Sequence, residues 1–130
     1  MSPIDALKIR HGYWYLATPY SKWPAGLDDA CKTAATLCGR LLLAGVNTYS
    51  PIAHSHPVSL TLEGQVDPRD HDFWLRADKP LFEAAHGLLV ADFPGWRESD
   101  GVTKEIAWSR AHVKPSFLLN PQTLGWVTLL

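Results

Sequence analysis

The chain has 130 residues, 12 basic and 13 acidic, with 46% apolar and 19% charged side chains: the length of one domain, with enough apolar content for a core. A net charge near zero excludes the basic stripe with which nucleic-acid binders displace counterions, and no apolar run approaches the roughly 20 residues that cross a bilayer. The expected partner is a small molecule, neither a nucleic-acid polymer nor a membrane.

In chain order, residues 1–12 are a polar lead-in without the apolar core and cleavage site of a secretory signal. Tyr13 to Ala17 reads as a short strand ended by Thr18-Pro19, and a loop punctuated by Pro24 and Gly26 follows. Ala30, Ala34, Leu37, Cys38, Leu41 and Leu42 recur at helical spacing, which predicts a helix over Asp28–Ala44. Asp28 or Asp29 would cap it and Gly45 would stop it. Val46 to Ser50 predicts a second strand, ended by Pro51. Ile52 to Pro68, of mixed polarity and interrupted by Pro57, reads as a long loop with one helical turn; such loops are usually functional. Phe73 to Ala85 is helical, with Pro80 placed to kink it. Gly87 to Ala91 is an apolar strand broken by Pro94-Gly95, and Asp100 to His112 is a third helix. Ser116 to Leu119 and Trp126 to Leu130 complete the strands.

Strands alternating with helices, and continuously apolar runs such as Leu88-Leu89-Val90, predict a parallel central sheet covered on both faces. The fold expected is α/β, a single-domain flavodoxin- or Rossmann-like three-layer sandwich. The two cysteines, Cys31 and Cys38, lie seven apart on one helix, about 10 Å between Cα atoms, too far for a disulfide. Reduced cysteines on a buried helix face suit a cytoplasmic protein. Six tryptophans exceed what so small a core holds, so some are expected at a pocket or a subunit interface.

Ligands of such sheets bind at the carboxyl ends of the strands. Thr18-Pro19-Tyr20-Ser21, Ser50 to His56, Asp92 to Gly101 and Asn120 would meet there. Gly95 to Gly101 runs into a helix carrying Glu105 one turn beyond Gly101; Ser99 or Asp100 would cap that helix, and its free N–H groups favour an anion. Asp78 is a second carboxylate, on the preceding helix. Glycosidic cleavage needs such a pair, one nucleophile and one acid, although each residue alone reads as an ordinary solvated helix carboxylate. His54-Ser55-His56 and Asp70-His71-Asp72 invite a metal hypothesis, but neither has a recognised ligand spacing, so no metal is expected. G-x-S-x-G, Walker A and G-x-G-x-x-G are all absent, and no cofactor is expected.

Tyr15-Leu16-Ala17-Thr18-Pro19-Tyr20-Ser21 resembles the opening of the nucleoside 2-deoxyribosyltransferase superfamily. So does the succession Asp78, Leu88-Leu89-Val90, Gly95-Trp96, Ser99-x-Gly101-x-x-x-Glu105 and Lys114-Pro115, and Tyr49 to Pro57 looks like a small bacterial and phage branch of it. The resemblance implies cleavage or base transfer at the N-glycosidic bond of a nucleoside or deoxynucleoside monophosphate. It gives Glu105 the nucleophile's role, Asp78 that of proton donor to the departing base, and Tyr15 that of positioning the nucleophile. Ser99 matches a position that contacts phosphate in relatives hydrolysing deoxynucleoside monophosphates. Thr18, Pro19, Tyr20, Ser21, His54, His56, Trp96, Ser99 and Gly101 are the expected substrate contacts, with Trp96, Tyr20 or Trp108 stacking on the base. Dimers or higher homo-oligomers are implied as well. Thr18 departs from a common glycine, and His86 from a common aspartate. A catalytically silent nucleotide-binding module on the same fold is the alternative, and a metal-dependent hydrolase using His54 and His56 the third.

Overall fold

The computed structural model describes residues 3–129. Five strands form one sheet in the order β2-β1-β3-β4-β5. They are β1 (Trp14–Ala17), β2 (Thr48–Tyr49), β3 (Gly87–Ala91), β4 (Ser116–Leu119) and β5 (Trp126–Thr128). The first four run parallel; β5 is antiparallel to β4, pairing Leu118 with Val127. The expected α/β sandwich is therefore present, its sheet parallel except at the last strand. The expected extension of that strand to Leu130 lies outside the described residues, as do the first two residues of the lead-in.

Four helices flank the sheet: α1 (Leu27–Leu43), α2 (Pro51–Thr61), α3 (His71–Ala84) and α4 (Asp100–Ala111). Strand side chains alternate between the faces, and the alternation sorts the core. Trp14, Leu16, Leu89 and Ala91 pack with Leu37 and Leu41 of α1; Tyr15, Ala17, Leu88 and Val90 pack with Phe82 of α3 and Val102 of α4. The lead-in contributes too. Its 3-10 turn Pro3–Leu7 buries Leu7 in the α1-side core, where the Leu7 carbonyl accepts from Trp14 Nε1 at 2.8 Å.

The segment expected to be a loop from Ile52 is instead α2, eleven residues long. Ser50 caps it, its side chain accepting from the Ala53 N–H at 3.2 Å, and Pro51 stands at the first helical position, where a proline needs no N–H partner. Pro57 lies inside α2 and Pro80 inside α3, and both helices run through their prolines. Neither Asp28 nor Asp29 caps α1: Gly26 holds that position at φ 96°, and both aspartates serve other partners. Both cysteines are free and half-buried.

After β1 the chain moves to one edge through α1 and β2, then returns to place β3 on the other side of β1. The order reverses between β1 and β3. Loops leaving those two strands diverge there and open a crevice at their carboxyl ends.

Candidate functional site

A cleft partly open to solvent occupies that crevice. Thr18, Tyr20 and Ser21 from the loop after β1 form one side, and Ser99, Gly101 and Glu105 of the α4 start form another. Pro51, Ile52, Ser55 and Ser59 of α2 and His71, Trp74, Leu75 and Asp78 of α3 close it. Helix α2 and the first half of α3 thus supply much of the wall.

Glu105 and Asp78 share this cleft, and neither is the solvated helix carboxylate that each resembles alone: they are 5% and 7% exposed. The helices explain it. Ser99 caps α4 by accepting from the Val102 N–H at 3.3 Å, which fixes the helix start so that Val102 and Glu105 fall on its buried face. Asp70 caps α3 through the Phe73 N–H, and Asp78 and Phe82, one turn apart, are the buried residues of that helix. Burial pushes Asp78 up to about 7. Burial is also the main cause raising Glu105 to about 8; the nearby Asp78 charge adds to it and the Tyr15 hydroxyl opposes it.

Tyr15 comes from the fully buried β1, on the sheet face that looks toward α4. Its hydroxyl lies beside Glu105 but lacks a partner of ordinary hydrogen-bond geometry. Burial first, then the Glu105 and Asp78 charges, hold its proton far above the usual tyrosine range. Thr18 Oγ1, three residues on and lining the cleft, is another buried hydroxyl without a partner. Unpartnered buried hydroxyls and two carboxyl groups held from water all cost stability. Such groups gathered in and beneath one cleft mark it as a candidate functional site.

Three basic side chains and His71 lie near the α4 end of the cleft. His71 Nε2 lies 3.4 Å from Ser21 Oγ and 3.8 Å from Asp100, and Lys22 stands 3.9 Å from the same aspartate. Arg69 donates to the Ser21 carbonyl at 3.1 Å, and Lys104 reaches Asp72 at 3.5 Å.

The other expected contacts lie elsewhere. Pro19 is buried beneath the loop, and His54 is exposed with its ring 6.0 Å from that of Tyr49. Trp96 donates to Asp92 at 3.1 Å and stacks under Arg97, while Trp108 packs on Phe82. Asn120 caps the turn that leads to β5. His56 sits behind the wall, between Tyr20 Oη at 2.6 Å and Asp28 at 2.7 Å. It does not converge with His54 and a carboxylate; among the described residues no group of three His, Cys, Asp or Glu side chains could hold a metal ion. In the sequence Asp28 stands out only as a helix cap and Ser55 only within the 50–56 segment, and Ser59, Trp74 and Leu75 do not stand out as site residues. Taking α2 for a loop hid the serines one turn apart, and Trp74 and Leu75 stand out in the sequence only as apolar residues on one side of a helix.

A protein-family model described as "Domain of unknown function (DUF1937)" matches residues 12–120. The chain belongs to the DUF1937 family. Every cleft residue of this DUF1937 domain, from Thr18 to Glu105, falls within the match. Among curated proteins, none matches the chain. No helix among the described residues is long and apolar enough to cross a membrane.

Proposed function

We propose that this DUF1937 domain cleaves or exchanges the N-glycosidic bond of a nucleoside or deoxynucleoside monophosphate. One observation carries the reading: two buried carboxyl groups share a cleft at the sheet's reversal point, where burial raises the pKa of both. A carboxylic acid and a carboxylate are the pair glycoside chemistry requires. In this mechanism ionised Glu105 attacks the anomeric carbon. The C–N bond breaks, its electron pair leaves with the base, and Asp78 gives the base a proton. Water or a second base then attacks the glycosyl ester and passes a proton to Asp78, which restores both groups.

Burial of Glu105 serves this chemistry, because a poorly solvated carboxylate is a better nucleophile than a hydrated one. Thr18 Oγ1 supplies a hydroxyl to the bound sugar, and Tyr15, buried beside Glu105, positions the nucleophile. Lys22, Arg69, His71 and Lys104 around the α4 N-terminus suit a 5′-phosphate, which favours the monophosphate. Two free half-buried thiols suit the reducing interior of a cell.

The test is a screen of deoxynucleosides, ribonucleosides and their monophosphates for release or exchange of free base, wild type against Glu105→Ala. Base release that disappears in the variant is expected. No turnover of any of them by folded protein would transfer the cleft to the silent nucleotide-binding reading.

A further inference from the structure

Tyr20, His56 and Asp28 come from three separate elements, yet they form one hydrogen-bonded chain. Asp28, on the first turn of α1, is 91% exposed in its side chain, whereas His56 of α2 is buried and Tyr20 lines the cleft. The order of protons along the chain follows from what each atom can do. An ionised carboxylate only accepts, so the 2.7 Å contact to Asp28 places a proton on His56 Nε2. In the neutral imidazole Nδ1 then carries a lone pair, and the 2.6 Å contact requires the Tyr20 hydroxyl to donate to it. Desolvation raises the Tyr20 pKa, which keeps that proton in place. Ser59 donates to the His56 carbonyl at 2.6 Å and ties down the same turn of α2.

Tyr20 therefore has no proton left for the cleft. Its oxygen offers a ligand only a lone pair. We propose that Tyr20, fixed by His56 and Asp28, is a specificity residue that selects the ligand by a hydrogen-bond donor: an amino group of the base or a hydroxyl of the sugar. Unlike Glu105, Tyr20 takes no part in bond cleavage. This inference rests on the nucleoside reading of the cleft and adds to it the polarity of one contact.

The experiment deletes ligand donors one at a time. Calorimetric affinities of the non-cleaving Glu105→Gln protein are measured for deoxyadenosine, purine 2′-deoxyriboside, and the 3′-deoxy and 5′-deoxy analogues, with and without Tyr20→Phe. One deletion is expected to weaken binding about five- to tenfold when Tyr20 is present and to have no effect in its absence. Which deletion couples tells base amino group from sugar hydroxyl. Binding of the panel with no deletion coupled to Tyr20 overturns the proposal and leaves the glycosidic reading standing. Failure of wild type to bind or cleave any member of this panel or of the wider screen of nucleosides and monophosphates overturns both. Imidazole ¹⁵N spectra test the proton order without a ligand: His56 is expected protonated at Nε2 alone, and a proton at Nδ1, in the other tautomer or in the imidazolium, would overturn the acceptor assignment.

Discussion

At the scale of single residues, the cleft sets the protonation of two carboxyl groups against their ordinary behaviour. The proposed reaction needs Glu105 ionised and Asp78 protonated; with pKa values of about 8 and about 7 this is the minor of the two singly protonated forms, and its population peaks between the two values. kcat/KM for base release is therefore expected to trace a narrow bell between about pH 7 and pH 8. A profile flat from about pH 6 to pH 9 would remove the pair from the mechanism. The same shifts act on stability. Both pKa values are raised, so the native state binds more protons than the unfolded chain between the ordinary carboxyl values, 3.8 and 4.5, and about 8. Unfolding free energy falls as pH rises through that window and levels off above it. Glu105→Gln removes one ionisable group and is expected to stabilise the protein at pH 8.5 by on the order of a few kcal/mol, with little effect near pH 4. Urea unfolding at the two pH values measures this; equal effects at both would show that ionisation of Glu105 costs the fold nothing. Glu105 and Asp78 were visible in the sequence as carboxylates on two successive helices. Their burial was not, because it depends on where α3 and α4 pack. The Tyr20–His56–Asp28 chain was less visible still: 28 residues separate the aspartate from the histidine, and no periodicity connects them.

Among the elements, β3 has the tightest tolerance. A Cβ on Gly87 would lie 2.4 Å from the Pro115 carbonyl oxygen and 2.7 Å from the Trp14 ring. That oxygen is held by the Leu88 N–H at 2.8 Å, so it cannot retreat without breaking the β3–β4 ladder. Gly87→Ala is expected to destabilise by about 1–3 kcal/mol or more, read as a shift in the urea midpoint; an unchanged midpoint would mean that the strands separate freely. Strands and helices with clean periodicity, such as α1 and β3, were legible because their apolar residues repeat at the period of the element. Helix α2 was not. Its apolar residues mark no single face, since buried Ser55, His56 and Ser59 occupy its inner side, and Pro57 argues locally against a helix. The packing of α2 against α1 overrides that preference. Its polar inner side is polar because it forms cleft wall and holds His56, so the segment hardest to read is one the site depends on.

The whole molecule extends its core beyond the family match. Leu7, 1% exposed, lies before residue 12, and Trp126, which packs 4.6 Å from Phe117 between ring centroids, lies after residue 120. Trp126 Nε1 also donates to the Pro3 carbonyl at 2.6 Å, which joins the two ends of the described chain. A fragment of residues 12–120 is expected to be at least about 3 kcal/mol less stable than the full chain, from the loss of Leu7 burial and of β5. Equal urea midpoints would show that the flanking segments are dispensable. The alternation of strands and helices made the three layers legible; the direction of β5 was legible too, since the six residues between it and β4 permit only an antiparallel return, but the expectation of a parallel sheet passed over it. The shape of the sheet margins has one more effect. One edge is β2, two residues long and followed at once by Ser50 and Pro51; the other is β5, three residues long. Neither offers a neighbouring chain a ladder long enough to extend, which guards against edge-to-edge aggregation. Copies that assemble must therefore meet through helix faces and loops, and Leu42, Leu43 and Leu60, exposed on α1 and α2, are the apolar side chains such a meeting would cover.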